Sequence, residues 1–143
     1  MVISVSVPHD RLKLGTLKAD EFECPCYCKA DNAAAAAAGN PTRDPLKTDG
    51  DTPVGVYSAR VGGIELPEHS YGPHQVIHLT AEAGPALVAH RSGLAVHGGQ
   101  LSTEGRLRPT HGCIRVHDES QAELIERMLA WGGTGRLELS ESD

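Results

Sequence analysis

The chain has 143 residues, of which 39% are hydrophobic, 22% are charged and only 3% are aromatic. This length suits one domain, and the composition is globular rather than disordered. A formal net charge of −6 without a cluster of Lys and Arg argues against nucleic acid or an anionic membrane surface as a partner. No apolar run is long enough to span a membrane, and the N-terminal residues do not resemble a signal peptide.

The first predicted elements are short strands. Residues 2–7 and 11–14 alternate apolar and polar side chains, and we expect a turn between them. Residues 21–29 alternate in the same way, which would place three thiols on one face of a strand, those of Cys24, Cys26 and Cys28. Three thiols in this arrangement suit a metal cluster, a redox site or a plain buried strand face. The usual burial of Cys favours the strand face.

The next segment is rich in alanine. Residues 33–38 are six alanines and predict a short helix, because Ala has the highest helix propensity. Asp31 and Asn32 suit its N-cap, and Gly39 favours its termination. A flexible low-complexity insert is the alternative, since so short a helix is marginal without packing. The turn-rich residues 40–55 predict a structured loop or a linker.

The second half of the chain predicts further strands and one long helix. The strand-like runs are residues 54–59, 75–79, 86–89, 94–97 and 135–139. Residues 119–131 carry an apolar helical face, with Asp118 as the expected cap and glycines at the end. The pattern as a whole predicts a mainly β fold in one domain, residues 1–143, with an insert near residues 31–46.

Two motifs suit nucleophilic chemistry: His97-Gly98-Gly99 and Thr110-His111-Gly112-Cys113-Ile114-Arg115. Cys113 would attack a carbonyl group only as its thiolate, so it needs a base or a positive charge nearby. His97 and His111 offer bases, and Arg115 offers a fixed charge. Gly112 permits a sharp turn, after which the N–H groups around Gly112 and Cys113 would stabilise an oxyanion. Taken alone, Cys113 would more often be a small buried hydrophobic residue.

These motifs resemble the signature of the L,D-transpeptidase catalytic domain family (YkuD-type). That signature is His-Gly, a variable loop, then Ser/Thr-His-Gly-Cys followed by an apolar residue and Arg or Asn. Residues 47–57 look like the family's Gly-Asp-x-Thr-Pro-x-Gly segment, and the long helix and closing strand follow in the family's order. The resemblance covers about residues 49–139. It implies a β-sandwich or open barrel of mixed strands with a packed C-terminal helix.

The resemblance also implies acyl transfer on the stem peptides of peptidoglycan. Cys113 would attack the carbonyl that precedes the terminal D-alanine of a tetrapeptide stem, release D-alanine and form a thioester. A side-chain amine, a D-amino acid or water would resolve the thioester, as transpeptidase, exchange or L,D-carboxypeptidase activity. His97 would act as the base, oriented by the backbone carbonyl of Gly98, and His111 and Arg115 would support the reaction and position the substrate.

Further residues complete the expected site. The backbone groups of Gly98 and Gly112 are expected to orient the base and bind the oxyanion, and Thr110 is expected to contact the substrate. His78 and Tyr71 would line the cleft, because they lie in or just before a predicted strand. No cofactor and no metal is expected. The alternative is a zinc site made by His and Cys side chains, those of His97, His111, Cys113 and His117.

Two other functions remain open. A wall-binding module would keep the fold without turnover, although the complete Cys113–His97 pair argues against it. An antibacterial effector would use the same chemistry on another cell's wall, with a secretion-system carrier or an immunity protein as its partner. The expected substrate lies in the periplasm or cell wall, so a chain without a signal peptide would be an excised domain or would need specialised delivery. Only twelve residues separate His97 from Thr110, which argues against a long flap over the substrate.

Overall fold

The protein is described by a computed structural model that covers residues 1–63, 68–99, 101–102 and 104–142. Its strands are β1 (Val2–Pro8), β2 (Gly15–Ala19), β3 (Phe22–Cys26), β4 (Gly55–Gly62), β5 (Val76–Ala83), β6 (Leu94–His97), β7 (Ile114–Arg115) and β8 (Thr134–Ser142). Its helices are α1 (Asn32–Ala37), α2 (Glu68–Tyr71), α3 (Pro85–Val88) and α4 (Asp118–Ala130). Within the described residues, eight strands form one sheet in the order β3-β2-β1-β8-β4-β5-β6-β7.

The sheet is mixed and nearly closes on itself. β1 pairs in parallel with β8, and β6 pairs in parallel with β7, whereas the other neighbours are antiparallel. Just after β3, the N–H of Tyr27 donates to the carbonyl of Arg115 at 2.9 Å, and the N–H of Arg115 donates to the carbonyl of Tyr27 at 3.0 Å. This pair joins the two edges of the sheet, and the predicted mainly β open barrel is confirmed.

The core lies between the concave face of the sheet and α4. Along β1, the buried side chains of Ile3, Val5 and Val7 alternate with exposed ones, as expected for a strand with one face in the core. Helix α4 contributes Leu124, Ile125 and Met128 to the same core. The buried amide of Gln121 in α4 donates to the carbonyls of Gln75 at 2.8 Å and Val96 at 3.1 Å, which fixes the helix against the end of β6.

Two local predictions are confirmed. The Ala-rich segment is helix α1, and Asp31 caps it by accepting a hydrogen bond from the N–H of Ala34 at 2.9 Å. The long C-terminal helix lies within a residue of the predicted bounds, and Gly132 and Gly133 end it with positive φ angles. Asp118, however, does not cap it. The N-cap residue is His117, which makes no side-chain cap hydrogen bond.

Two predicted strands are wrong. Residues 11–14 belong to a turn before β2, because the Asp10 carboxylate accepts from the N–H of Leu12 at 3.0 Å and holds the backbone in a tight turn. Residues 86–89 belong to helix α3 and its end, because Pro85 has a φ suited to the first turn of a helix. Both segments are short, so one turn-forming or helix-starting residue outweighs a brief alternation of apolar side chains.

The three clustered thiols belong to the structural core. Cys24, Cys26 and Cys28 are free and buried, and they pack in the same cluster as the inward side chains of β1 and β2. This placement agrees with the plain strand face among the alternatives. In the part of the chain that the structure describes, no helix is both long and apolar enough to cross a membrane.

Candidate active site

His97 ends β6 and is held in one orientation. Its side chain is buried, with the residue only 2% exposed, and its Nδ1 lies 2.7 Å from the carbonyl oxygen of Gly98. A carbonyl oxygen can only accept, so Nδ1 carries the ring proton and Nε2 keeps its lone pair. This is the contact that the family resemblance implies for the base.

The surroundings of His97 also keep it neutral. Burial lowers the pKa of His97 from 6.5 to about 4; the positive charge of Arg115 adds to that effect, and the hydrogen bond to Gly98 opposes it. At neutral pH the imidazole is therefore unprotonated. A neutral imidazole with a free Nε2 can take a proton from a nearby nucleophile.

Cys113 and His97 open into the same cleft. The parallel pairing of β6 with β7 sets Val96 opposite Ile114 and His97 opposite Arg115. Cys113 comes directly before β7, so alternation places its side chain on the same face of the sheet as those of Arg115 and His97. Both line a cleft of about 570 Å³, which is the natural place for a substrate.

The Cys113 thiol is shielded and uncharged in the resting structure. The residue is 9% exposed, and Sγ donates a hydrogen bond to the carbonyl of Gly93 at 3.7 Å. Burial raises the pKa of the thiol, whereas the N–H of Ala95 and the charges of Arg115 and Arg91 lower it. Within the described ranges no hydrogen bond joins the thiol to His97, so the thiol must rotate away from Gly93 to transfer its proton.

Thr110 and Thr52 shape the loop that carries Cys113. The Thr110 hydroxyl donates to the carbonyl of Cys113 at 2.9 Å and accepts from the N–H of Gly112 at 3.0 Å. The buried Thr52 hydroxyl donates to the carbonyl of Gly112 at 2.7 Å. The segment around Thr52 therefore has a structural reason to accompany the cysteine motif: it fixes the loop that carries Cys113.

One expected oxyanion donor is already engaged. Because the N–H of Gly112 donates to Thr110, it is not free to bind a negatively charged oxygen, which leaves the N–H of Cys113 as the other expected donor. The N–H of Cys113 has no acceptor among the described residues. It lies beside the Cys113 thiol and is therefore the candidate donor.

We expect Gly112→Ala to destabilise the protein. Gly112 has a φ of +117°, and a Cβ there would lie 2.3 Å from Nη2 of Arg91 and 2.9 Å from the carbonyl oxygen of Gly50. The strained backbone and the overlap together should cost about 3 kcal/mol of unfolding free energy, measured by urea denaturation. The control is Gly63→Ala, since a Cβ on Gly63 would meet no atom of the described residues within 4 Å. Equal stability of the two variants would contradict this account.

Arg115 and Tyr71 build the wall of the cleft beside His97. Nη2 of Arg115 donates to the carbonyl of Ser70 at 2.8 Å, and Nη1 donates to that of Arg108 at 3.4 Å. These contacts hold the end of α2 beside His97. The ring centroids of Tyr71 and His97 are 4.6 Å apart, and the two ring planes are tilted by 50°. Arg115 thus supports the site through its contacts as well as its charge.

Of the other predicted side chains, three line the cleft and one does not. His111, Thr110 and Tyr71 line the cleft; His111 is exposed, Tyr71 is partly buried and Thr110 is buried. His78 is not among the lining residues: its Nε2 lies 3.3 Å from the carbonyl oxygen of Gly63, and its ring packs on Gly62. The structure therefore brings all the predicted side chains together except His78.

Two residues at or beside the site have contacts that the sequence pattern does not predict. Asp118 accepts a hydrogen bond from the N–H of Gly99 at 2.8 Å and so ties the start of α4 to the His-Gly-Gly segment. Arg91 lines the cleft beside Cys113. The local pattern predicts a helix cap at Asp118, and nothing in it distinguishes Arg91 from an ordinary surface arginine.

The zinc alternative finds no support in the geometry. It requires side chains from His97, His111, Cys113 and His117 around one point. Among the described residues, no three or more His, Cys, Asp or Glu side chains are grouped so that they could hold a metal ion.

Comparison with known proteins gives little further information. No protein-family model matches the chain, and no curated protein matches it. Among solved structures, the chain is similar to the helical cell shape determining protein Pgp2 from Campylobacter jejuni, with 16% sequence identity and a TM-score of 0.49. The match covers 99% of this chain and 48% of that one, so this chain spans about half the length of Pgp2. A likeness at this level carries no argument about function.

Proposed function

We propose that the protein is a cysteine acyltransferase of the L,D-transpeptidase type, acting on the tetrapeptide stems of peptidoglycan. The observation that carries the proposal is the arrangement of His97 and Cys113 in one cleft. Gly98 holds the proton of His97 on Nδ1, which leaves Nε2 as a base on the face of the sheet that also carries the thiol. The choice of substrate rests on the resemblance of the two motifs to that family.

The first half of the reaction forms a thioester. Nε2 of His97 takes the proton from Sγ of Cys113, and the sulfur bonds to the carbonyl carbon that precedes the terminal D-alanine. The negative charge that develops on the carbonyl oxygen is stabilised by the N–H of Cys113. The C–N bond then breaks, and His97 returns the proton to the amine of the departing D-alanine.

The second half returns the free enzyme. An amine or a water molecule loses a proton to Nε2 of His97 and attacks the thioester carbonyl, after which the thiolate leaves and is reprotonated. An amine acceptor gives a new amide bond, and water gives a tripeptide stem. Arg115 assists both halves, because its fixed charge lowers the pKa of the Cys113 thiol.

The direct test is incubation with a disaccharide-tetrapeptide followed by mass spectrometry. We expect loss of D-alanine, accompanied by a tripeptide, a cross-linked dimer or an adduct of an added D-amino acid. The matched control substrate ends in L-alanine and should remain intact, because the reaction proposed here cleaves only the bond to a D residue. An unchanged tetrapeptide with every acceptor would refute the proposed function.

A further inference from the structure

Arg91 occupies a well-defined place beside the nucleophile loop. It lies between α3 and β6, and its guanidinium reaches back to residues that precede it by 40 to 46 positions. Nη1 donates to the carbonyls of Pro45 at 2.6 Å and Asp51 at 3.2 Å, and Nη2 donates to that of Gly50 at 3.3 Å. These contacts fix the guanidinium on a loop rather than leaving it in solvent.

The same guanidinium packs against the residue that precedes the nucleophile. The Gly112 backbone approaches Arg91 so closely that a Cβ there would lie 2.3 Å from Nη2. The segment that carries Arg91 also contains Gly93, whose carbonyl accepts the hydrogen bond of the Cys113 thiol at 3.7 Å. Arg91 therefore lies between the 45–51 loop on one side and the nucleophile loop on the other.

The positive charge of Arg91 is not cancelled by a close ion pair. Its hydrogen-bond acceptors are neutral carbonyl oxygens, and no carboxylate of the described residues lies within ion-pair distance of it. Asp49 and Asp51 face it only at longer range. A cation held this way in a partly buried position keeps an electrostatic effect on its neighbours.

Several charged or titratable groups surround the Cys113 thiol. Tyr71 approaches from α2, His97 from β6, Arg115 from β7, and Arg91 from the segment before β6. His97 is neutral at neutral pH, and Tyr71 is neutral as well because burial raises its pKa. The fixed charges that act on the thiol are thus those of Arg91 and Arg115. The other charged or titratable residues that line the cleft are His111, His90, Arg108, Asp31 and Asp49.

We propose that Arg91 is a positioning residue for the acyl transfer: it fastens the 45–51 loop to Gly112 and places a fixed positive charge beside Cys113. The inference rests on the proposed function, because it takes Cys113 as the nucleophile. It assigns stabilisation of the Cys113 thiolate to the charges of Arg91 and Arg115, which both line the cleft, and it leaves His97 to accept and return the proton.

The test is the pH dependence of Cys113 alkylation by iodoacetamide, with the modified residue identified by peptide mass spectrometry. The charge-free variants are Arg91→Gln and Arg91→Met, and circular dichroism verifies that each one folds. We expect the midpoint of the alkylation profile to rise by about one pH unit, and the rate at neutral pH to fall about tenfold. Arg91→Lys keeps the charge, so its midpoint should stay close to that of the unmodified protein.

Arg136→Gln is the matched control, because Arg136 is exposed and pairs with Glu138 on β8, away from the cleft. Unchanged midpoints in folded charge-free variants would overturn the proposal, and so would an Arg91→Lys midpoint as high as theirs. Because alkylation needs no stem peptide, these outcomes are separate from the fate of the proposed function, which the tetrapeptide assay decides.

Discussion

Replacing Cys113 with alanine is expected to reduce release of D-alanine from a tetrapeptide stem by about a thousandfold or more, because no other described side chain that lines the cleft is a thiol able to form the proposed thioester. The variant should fold normally, since alanine removes one sulfur from a loop that Thr110 and Thr52 hold through backbone carbonyls. The measurement is turnover by mass spectrometry, with stem-peptide binding followed by calorimetry on the same variant.

The control for this loss is Cys24→Ala. Cys24 is also a buried thiol, but it lies in β3 within the main core and does not line the cleft. We expect turnover near that of the unmodified protein. Normal turnover in Cys113→Ala would contradict the assignment of the nucleophile. An unmodified protein that binds the stem without releasing D-alanine would instead support a wall-binding module.

Features with a local physical cause could be predicted from the sequence. The strand that ends in His97 has apolar side chains bounded by glycines, and the structure places it at the predicted residues. Helix α1 has its cap one residue before its first turn. The Gly98 carbonyl lies next to His97 along the chain, so the contact that sets the tautomer is also local. Such features depend on neighbouring residues and little on the rest of the fold.

Features that depend on distant contacts could not be predicted. Arg91 gains its role from carbonyls 40 to 46 residues earlier in the chain, which no spacing rule connects to it. Asp118 suits a helix cap by local rules, yet the tertiary fold uses its carboxylate to hold the N–H of Gly99. The Gly112 N–H suits an oxyanion by its place in the motif, yet in the fold it donates to the Thr110 hydroxyl. In each case the guanidinium, carboxylate or N–H could form several hydrogen bonds of the same kind, and a long-range or loop contact determines which one forms.

Replacing His97 with glutamine is expected to lower kcat/KM for D-alanine release by about 10²- to 10⁴-fold, the usual contribution of a general base. A glutamine amide can still donate to the Gly98 carbonyl, but it cannot accept the thiol proton at neutral pH. The Cys113 thiol should remain reactive toward iodoacetamide at alkaline pH, where it ionises without a base. Loss of that reactivity would indicate a disrupted site rather than a missing base.

The same substitution should also change how stability depends on pH. The pKa of His97 is about 4 in the folded protein and 6.5 for an unperturbed histidine, so between these values the unfolded chain binds more protons than the folded one. The contribution of His97 to the free energy of unfolding is therefore fully present above pH 6.5. It amounts to about 3 kcal/mol and is lost as the pH falls toward 4. His97→Gln removes that contribution, and urea denaturation across pH 4 to 7 should show a flatter profile. The control is His74→Gln, an exposed residue outside the cleft, which should keep the original slope. An unchanged slope in His97→Gln would mean that the buried imidazole is not the group that titrates.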